Sequence, residues 1–495
     1  MAMRRETCDV VILGAGFAGS LLAIIAKQQG RSVVLLERAR HPRFAIGESS
    51  TPLANLKLAG LAETSDLPWL TSLTKYGPWK RDYPHIACGL KRGFSFYHHC
   101  KGEAFRPDRQ HGNELMVAAN PDADRGDTHW YRAEFDEFFA HQAVKAGVTC
   151  IDHCNVSVIE HDGPWLIRGT CDDGPVEITA SFAIDATGET GRLAEALGLK
   201  RSTDGIRTCS RGLYSHFEGV ALWADILEGD GHRLVDHPFP CDAAALHHLI
   251  DSGWMWVLRF DNGITSAGFS LDPHRHPLDL QISPEAEWGE LLAAYPSIQR
   301  QFADAVPVLP FTRTPRMQRR LSVAAGADWA ALPFTASFLD PWLSPGIAYT
   351  LFGVERLARI LGEHWSDPNR ANQLATYSRT LFREMELLDH ITSACLSRLD
   401  CFPIVVATSM IYFTAAIFTE ERIRAGRDKP DDAFLLADDE RFVSLAVELC
   451  DAAHHVALAD AAAFAKRVAT AIHPYNTAGL CDPERRNMYP FTGSM

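Results

Sequence analysis

The chain has 495 residues, 46% of them hydrophobic and 22% charged, with ordinary glycine and proline content. That composition excludes a disordered or fibrous chain and allows roughly two to four domain-sized units around large cores. A formal charge of −14 argues against a nucleic-acid partner, because phosphate binding requires a basic surface that releases counterions.

Cys8 to Arg38 reads as an apolar strand, a glycine turn, an amphipathic helix and a second apolar strand, the βαβ unit of a parallel sheet covered on both faces. The apolar run Val10 to Leu13 is too short for the core of a signal peptide, so a cytoplasmic protein is expected. Arg132 to Val148 carries apolar residues at helical spacing and closes on Gly147. Cys150, His153 and Cys154 form the one tight group among twelve cysteines, on a stretch that reads as a strand. Alternate residues of a strand face opposite ways, so thiols of a reducing compartment and no metal site are expected.

Strand-like alternation continues through Val158 and Ile167, and Ser181 to Arg192 is a further apolar strand entering a glycine turn. Gly205 to Phe311 favours antiparallel strands, among them Gly253–Phe260 and Ile264–Leu271. From Ala348 onward helices dominate, with breaks at Pro403 and at the Asp428–Lys429–Pro430 turn. The longest apolar stretch, Ile404 to Phe418, contains Thr408, Ser409 and Thr414 and falls short of the roughly 20 residues of a membrane span, so a buried helix is expected.

Gly14, Gly16 and Gly19 form a G-x-G-x-x-G pattern in which the glycines give a tight turn, room for pyrophosphate and close helix–strand packing. The pattern follows a strand, opens a helix, and precedes by about 20 residues a carboxylate, Glu37, suited to the ribose hydroxyls. These features point to a bound dinucleotide without separating FAD from NAD. No second such pattern exists, so no dedicated NAD(P)H domain is expected.

Four islands bear on the choice. They are Pro42–Pro52 (PRFAIGESSTP), Cys88–Phe96 (CGLKRGFSF), Gly253–Phe260 (GWMWVLRF) and Ser337–Gly346 (SFLDPWLSPG), with the turn Asp185–Gly191 (DATGETG) between the second and third. In order and character they resemble the flavin-dependent halogenases, relatives of the FAD monooxygenases with a glutathione-reductase-like fold. The resemblance implies an α/β architecture: a Rossmann-type FAD-binding domain over 1–204 and 312–365, an inserted antiparallel substrate-binding sheet over 205–311 and a helical region over 366–495. It implies cofactor contacts from Gly14, Gly16, Gly19, Glu37, Arg38, Ile46, Gly47, Glu48, Ser49, Arg132, Asp185, Gly188, Asp340, Pro341, Gly346 and Ile347.

The same resemblance implies catalytic roles for four residues. Lys91 matches the lysine that forms a chloramine or hydrogen-bonds hypohalous acid, Trp254 and Trp256 match the pair that bars substrate from the flavin, and Ser344 belongs to the turn near flavin and halide. It further implies FAD reduced by a separate flavin reductase, O₂ and halide as co-substrates, and a small aromatic or conjugated substrate. The residues themselves leave other readings open: a solvated lysine at 91, and two tryptophans at i and i+2 that fill a core.

Two departures from the family pattern weigh toward hydroxylation. Leu258 and Arg259 replace Ile and Pro after the tryptophans, and Pro345 stands where a Ser or Thr donates its N–H to halide. Proline has no N–H to donate. A monooxygenase, or a reductase or desaturase of the same fold, therefore stays an alternative.

Overall fold

A computed structural model describes residues 3–429 and 431–493; Pro430 of the expected turn lies outside them. The chain folds around two large sheets. The first has seven strands, and its centre is built as the apolar runs require. Arg4–Leu13 pairs in parallel with Val33–Leu36 on one side and Gly174–Asp185 on the other. Thr149–Ile151 extends the sheet beyond Val33–Leu36, and Trp329–Ala331 joins beside Gly174–Asp185. The hairpin strands Trp165–Cys171 and Asn155–His161 complete an antiparallel wing. Val10, Val11 and Ile12 are fully buried because helices cover both faces, among them Phe17–Gln28 and Arg132–Lys145.

The second sheet has nine strands. Its centre is the antiparallel set Arg211–Glu218, Thr265–Leu271, Gly253–Arg259 and Ala245–Ile250. It also takes strands from outside 205–311: Gly93–His98 pairs in parallel with Ala245–Ile250, Glu114–Ala118 follows, and Met488–Tyr489 adds the last rung. One face packs on a separate core containing Phe217, Trp223 and Trp288, and the other meets the nucleotide half. The site described below lies between the two halves.

Helices Gly346–Glu363, Arg370–Leu396 and Phe402–Arg424 follow. Pro403 sits in the first turn of the last helix, where its missing N–H has no intrahelical partner to lose, so it starts that helix and does not interrupt one. The apolar run read from the sequence underestimates this helix, which has 23 residues and a mean hydropathy of 1.8 over its most apolar stretch. By length and composition alone it could cross a membrane, but 83% of that stretch is buried inside the protein. Cys150 ends up on a strand and Cys154 in the loop after it, and no group of His, Cys, Asp and Glu among the described residues could hold a metal.

Candidate active site

The dinucleotide turn has the geometry its glycines imply. Gly14 adopts φ 106°, and a Cβ there would lie 2.5 Å from the Ala186 carbonyl oxygen. A Cβ on Gly19 would lie 2.1 Å from the Gly14 oxygen, so this glycine lets helix and strand touch. Gly16 differs: its φ is −70°, and a Cβ there would meet nothing closer than 3.5 Å. The space it leaves open is bounded by Arg43, Arg132 and Asp136. The first intrahelical bond runs from Ser20 N–H to Gly16 O, which leaves Ala18 and Gly19 N–H at a helix N-terminus without an intrahelical acceptor.

Two adjoining clefts flank this turn. One, of about 440 Å³, is lined by Gly14, Glu37 and Arg38 together with Thr187 and Arg192. Glu37 accepts from Ala15 N–H at 3.0 Å and Ala39 N–H at 2.9 Å, and pairs with Arg43 at 3.1 Å. The other, the central cleft, encloses about 400 Å³. Gly16, Gly19, Ile46, Gly47, Glu48, Ser49, Arg132 and Gly188 line it on the nucleotide side; Asp340, Pro341, Ser344, Gly346 and Ile347 come from the facing turn, and Trp254 and Trp256 from the second sheet.

Orphaned polar atoms mark the walls. Glu48 takes His216 Nε2 on one oxygen at 2.7 Å while its other oxygen is buried without a partner, and Arg43 Nε is likewise unpartnered. Such groups fit a bound phosphate-bearing cofactor. Arg43, the second residue of the first island, is a site cation that the sequence reading passed over.

Three expected cofactor contacts are committed elsewhere. Asp185 lines neither cleft; its carboxylate accepts from Thr187 N–H and Oγ and from Leu193 N–H, which shapes the turn that carries Gly188. Arg132 grips Asp136 through two bonds of 2.8 Å and donates to the Ile46 and Gly47 carbonyls, so it orders the Ile46–Ser49 loop. Asp340 lines the cleft, yet both its oxygens are taken, by Trp254 Nε1, Trp342 N–H, Ser210 Oγ and Ser270 Oγ. Burial pushes the Asp185 and Asp340 carboxyls up, while these donors act in the opposite direction.

The turn beyond Asp340 is strained, with Leu343 at φ 64° and Ser344 at φ 54°, neither of them glycine. It delivers Pro345 as the residue capping helix Gly346–Glu363. Ser344 Oγ donates to Ser49 Oγ at 3.2 Å, tying this turn to the loop opposite.

Lys91 is not a surface residue. It is fully buried at the end of strand Cys88–Lys91, where Nζ donates to Ser49 Oγ at 2.9 Å and to Ser50 O at 2.8 Å and lies 4.0 Å from the centre of the Phe94 ring. Burial pushes its ammonium down to about 7, against the opposing pull of Asp127. Lys91 lines neither of the two clefts. Its partner Ser49 lines the central cleft, and its neighbour Phe94 lines a separate cavity of about 70 Å³ walled by helix Phe402–Arg424 and the segment 478–493.

Trp254 and Trp256 share one face of their strand with centroids 5.9 Å apart, and Nε1 of Trp256 donates to Ser266 Oγ at 3.2 Å. They are core residues and cleft residues at once. Arg259 turns away, donating to Asp242 and to the Val220 and Ala221 carbonyls. It ties down neighbouring loops and puts no cation in the cleft. His98 and His99 do not shape the cleft either: His98 bonds the Leu399 carbonyl, and His99 is buried against His248.

The profile of the tryptophan halogenase family matches residues 128–394, and that of NAD(P)-binding Rossmann-like domains matches residues 12–65. Monodechloroaminopyrrolnitrin halogenase PrnC of Pseudomonas fluorescens is 31% identical over 88% of this chain and 79% of its own. The chain belongs to the flavin-dependent halogenases. Tetracycline 7-halogenase of Kitasatospora aureofaciens is 26% identical to this halogenase over 98% of the chain and 91% of its own. The fold matches that of halogenase PltM, solved with phloroglucinol and FAD, at a TM-score of 0.87 and 24% identity, covering 97% of this chain and 99% of that one. The halogenase fold thus spans both sheets and the C-terminal helices, well beyond the nucleotide turn.

Proposed function

We propose that this halogenase works through two compartments with Lys91 in the wall between them. The central cleft and its neighbour hold FAD, and the cavity behind Phe94 holds an electron-rich aromatic. The observation that carries this reading is the position of the Lys91 ammonium group, which bonds a cleft-lining serine on one side and faces a cavity-lining ring on the other. FAD, reduced by a separate flavin reductase and reacting with O₂, supplies the oxidising equivalents that turn halide into hypohalous acid.

The protein's own residues do the rest. Glu37 holds the ribose, and the open space at Gly16 with the helix N-terminus beside it receives pyrophosphate. Trp254 and Trp256 keep the aromatic substrate out of the cleft, while Ser49 and Ser344 line the path toward Lys91. Lys91, neutral for a substantial fraction of the time near pH 7, is nucleophilic enough to take up the halogen or donates to hypohalous acid and orients it. Its desolvation supports this role, since a solvated lysine would be protonated almost completely.

The names of the relatives, which include a tetracycline halogenase and a halogenase solved with phloroglucinol, support an aromatic acceptor. The experiment is to incubate the protein with FAD, a flavin reductase, bromide or chloride, and a panel of phenols, indoles and pyrroles, and to read product masses. Halogenated products are expected; products heavier by one oxygen in every case, with no response to halide, would make the chain a hydroxylase.

A further inference from the structure

The cavity behind Phe94 contains one group the two-compartment reading does not use. Its walls are largely apolar, from Leu53, Phe94, Val117, Phe413, Ile417 and Phe491, and Glu420 on helix Phe402–Arg424 projects a carboxyl into them. Glu420 is half-buried and lines the cavity. It makes no hydrogen bond or ion pair among the described residues. Four charged groups face it: Arg424 and Glu421 from its own helix, both of which also line the cavity, Lys75 at the cap of helix Tyr76–Asp82, and Asp127 from strand Asp127–Trp130. None neutralises it; Lys75 pairs with Asp127 at 3.6 Å, and Asp127 is held by Asn55 and Asn120. A half-buried carboxyl with no protein partner, set beside a largely apolar wall, leaves its oxygens free to bond a ligand in the cavity.

We propose that Glu420 accepts the hydroxyl proton of a monocyclic phenol bound in this cavity, so that the ring reacts as phenolate; the inference rests on the two-compartment reading above. The space favours one ring. A cavity of about 150 Å³ holds benzene, and this one, at about 70 Å³, must widen even for that. Its outer wall includes Pro490 and Phe491, which follow the two-residue rung Met488–Tyr489 at the edge of the second sheet, so movement there breaks few bonds.

The step balances without a further reagent. The phenolic proton passes to the Glu420 carboxylate, and the ring carbon bonds the halogen of hypohalous acid as the halogen–oxygen bond breaks and hydroxide leaves. The ring C–H proton is then lost, restoring aromaticity and converting hydroxide to water. Glu420 returns its proton to the halogenated phenolate. Burial, followed by weaker opposing and reinforcing effects of Arg424, Asp127, Lys75 and Glu421, lifts the Glu420 carboxyl to about 8. A carboxylate so raised is a better match for a phenol than an exposed one, and it works as a base only in the fraction ionised, which grows about tenfold per pH unit up to 8.

The test compares 4-methylphenol with its methyl ether, using the FAD-loaded enzyme with flavin reductase and bromide between pH 6 and 9.5. Lys91 acts on both substrates, so its titration cancels in the ratio of their kcat/KM values. In the wild type that ratio should rise through about pH 8; in Glu420→Gln it should be flat, with phenol turnover lower by about 100-fold above pH 9. Equilibrium dialysis of 4-methylphenol should give a Kd for the Gln variant within about threefold of the wild type, because an amide oxygen still accepts the hydroxyl. A wild-type ratio independent of pH, or a rise that survives Glu420→Gln, overturns the proposal. The wild-type ratio needs no variant, so it decides even if Glu420→Gln fails to fold. The cavity itself is tested by Ala416→Trp, which fills it. Unchanged 4-methylphenol binding in that variant, with FAD retained, would mean that the aromatic binds elsewhere and would overturn the two-compartment reading as well.

Discussion

The three glycines of the dinucleotide turn do different work, and substitution separates them. Gly16→Val adds a side chain into open space at an ordinary φ, so the protein should fold with a wild-type far-UV circular dichroism spectrum but lose bound FAD, read from its flavin absorbance after gel filtration. Gly19→Ala drives a methyl group into the Gly14 carbonyl, and it should lower stability by about 1–3 kcal/mol in denaturant unfolding. FAD retained by Gly16→Val with unchanged affinity would remove the pyrophosphate from this turn. Lys91 calls for the same discrimination. It is fully buried, so Lys91→Ala would leave a void; Lys91→Met keeps the volume and removes the amine. Halogenated product should vanish in Lys91→Met while FAD binding persists. In the wild type, turnover of a substrate with no ionisable proton should rise as pH increases through about 7, because the free amine is the form present above that value.

At the level of elements, the turn Asp340–Gly346 is the most telling. Its carboxylate is tied to donors on two strands, Trp254 and Ser270, and to Ser210, its backbone is strained at Leu343 and Ser344, and its proline caps the helix that follows. The strain is held because Asp340 and the Ser344–Ser49 bond fix both ends. Pro345 cannot donate, yet Gly346 and Ile347 follow it in the first helical turn, where N–H groups lack intrahelical acceptors. A halide bound at this turn would keep part of a donor set, and bromide should be used in preference to chloride, being easier to desolvate and oxidise. Pro345→Ser returns one N–H, on the order of 1.5–3 kcal/mol for a bond to an ion, so the bromide concentration giving half-maximal rate should fall by about tenfold or more. No change in that concentration would place the halide away from this turn.

For the whole molecule, the decisive feature is that one chain closes two compartments from segments far apart in sequence. The cleft joins residues near 16, 48, 188, 254 and 340, and the second cavity joins Leu53, Phe94, Glu420 and Phe491. With one dinucleotide turn and no second, reducing equivalents should come from outside. Mixing FAD-loaded enzyme with NADH alone should bleach the flavin slowly, and adding a flavin reductase should speed bleaching at least tenfold in stopped-flow absorbance. Fast stoichiometric bleaching by NADH without a reductase would point to a single-component enzyme.

The sequence alone determined the nucleotide half of this protein and its kinship. Those properties rest on local features: a glycine turn between strand and helix, apolar runs of the right length, and short islands whose residues touch one another or the same ligand. Gly19 and Glu37 are legible because their partners, Gly14, Ala15 and Ala39, lie within about 25 residues of chain. The roles of Arg132, Asp185 and Asp340 were not, since which partner satisfies a buried charged group depends on what the fold brings near it. The same holds for Lys91, where a loose motif left a solvated lysine as an alternative, and for Glu420, which sits in an ordinary-looking helix tail. Only tertiary packing decided that Lys91 is desolvated against Phe94 and that Glu420 lines the cavity Phe94 also lines, because desolvation is a property of everything surrounding a group and not of its neighbours along the chain.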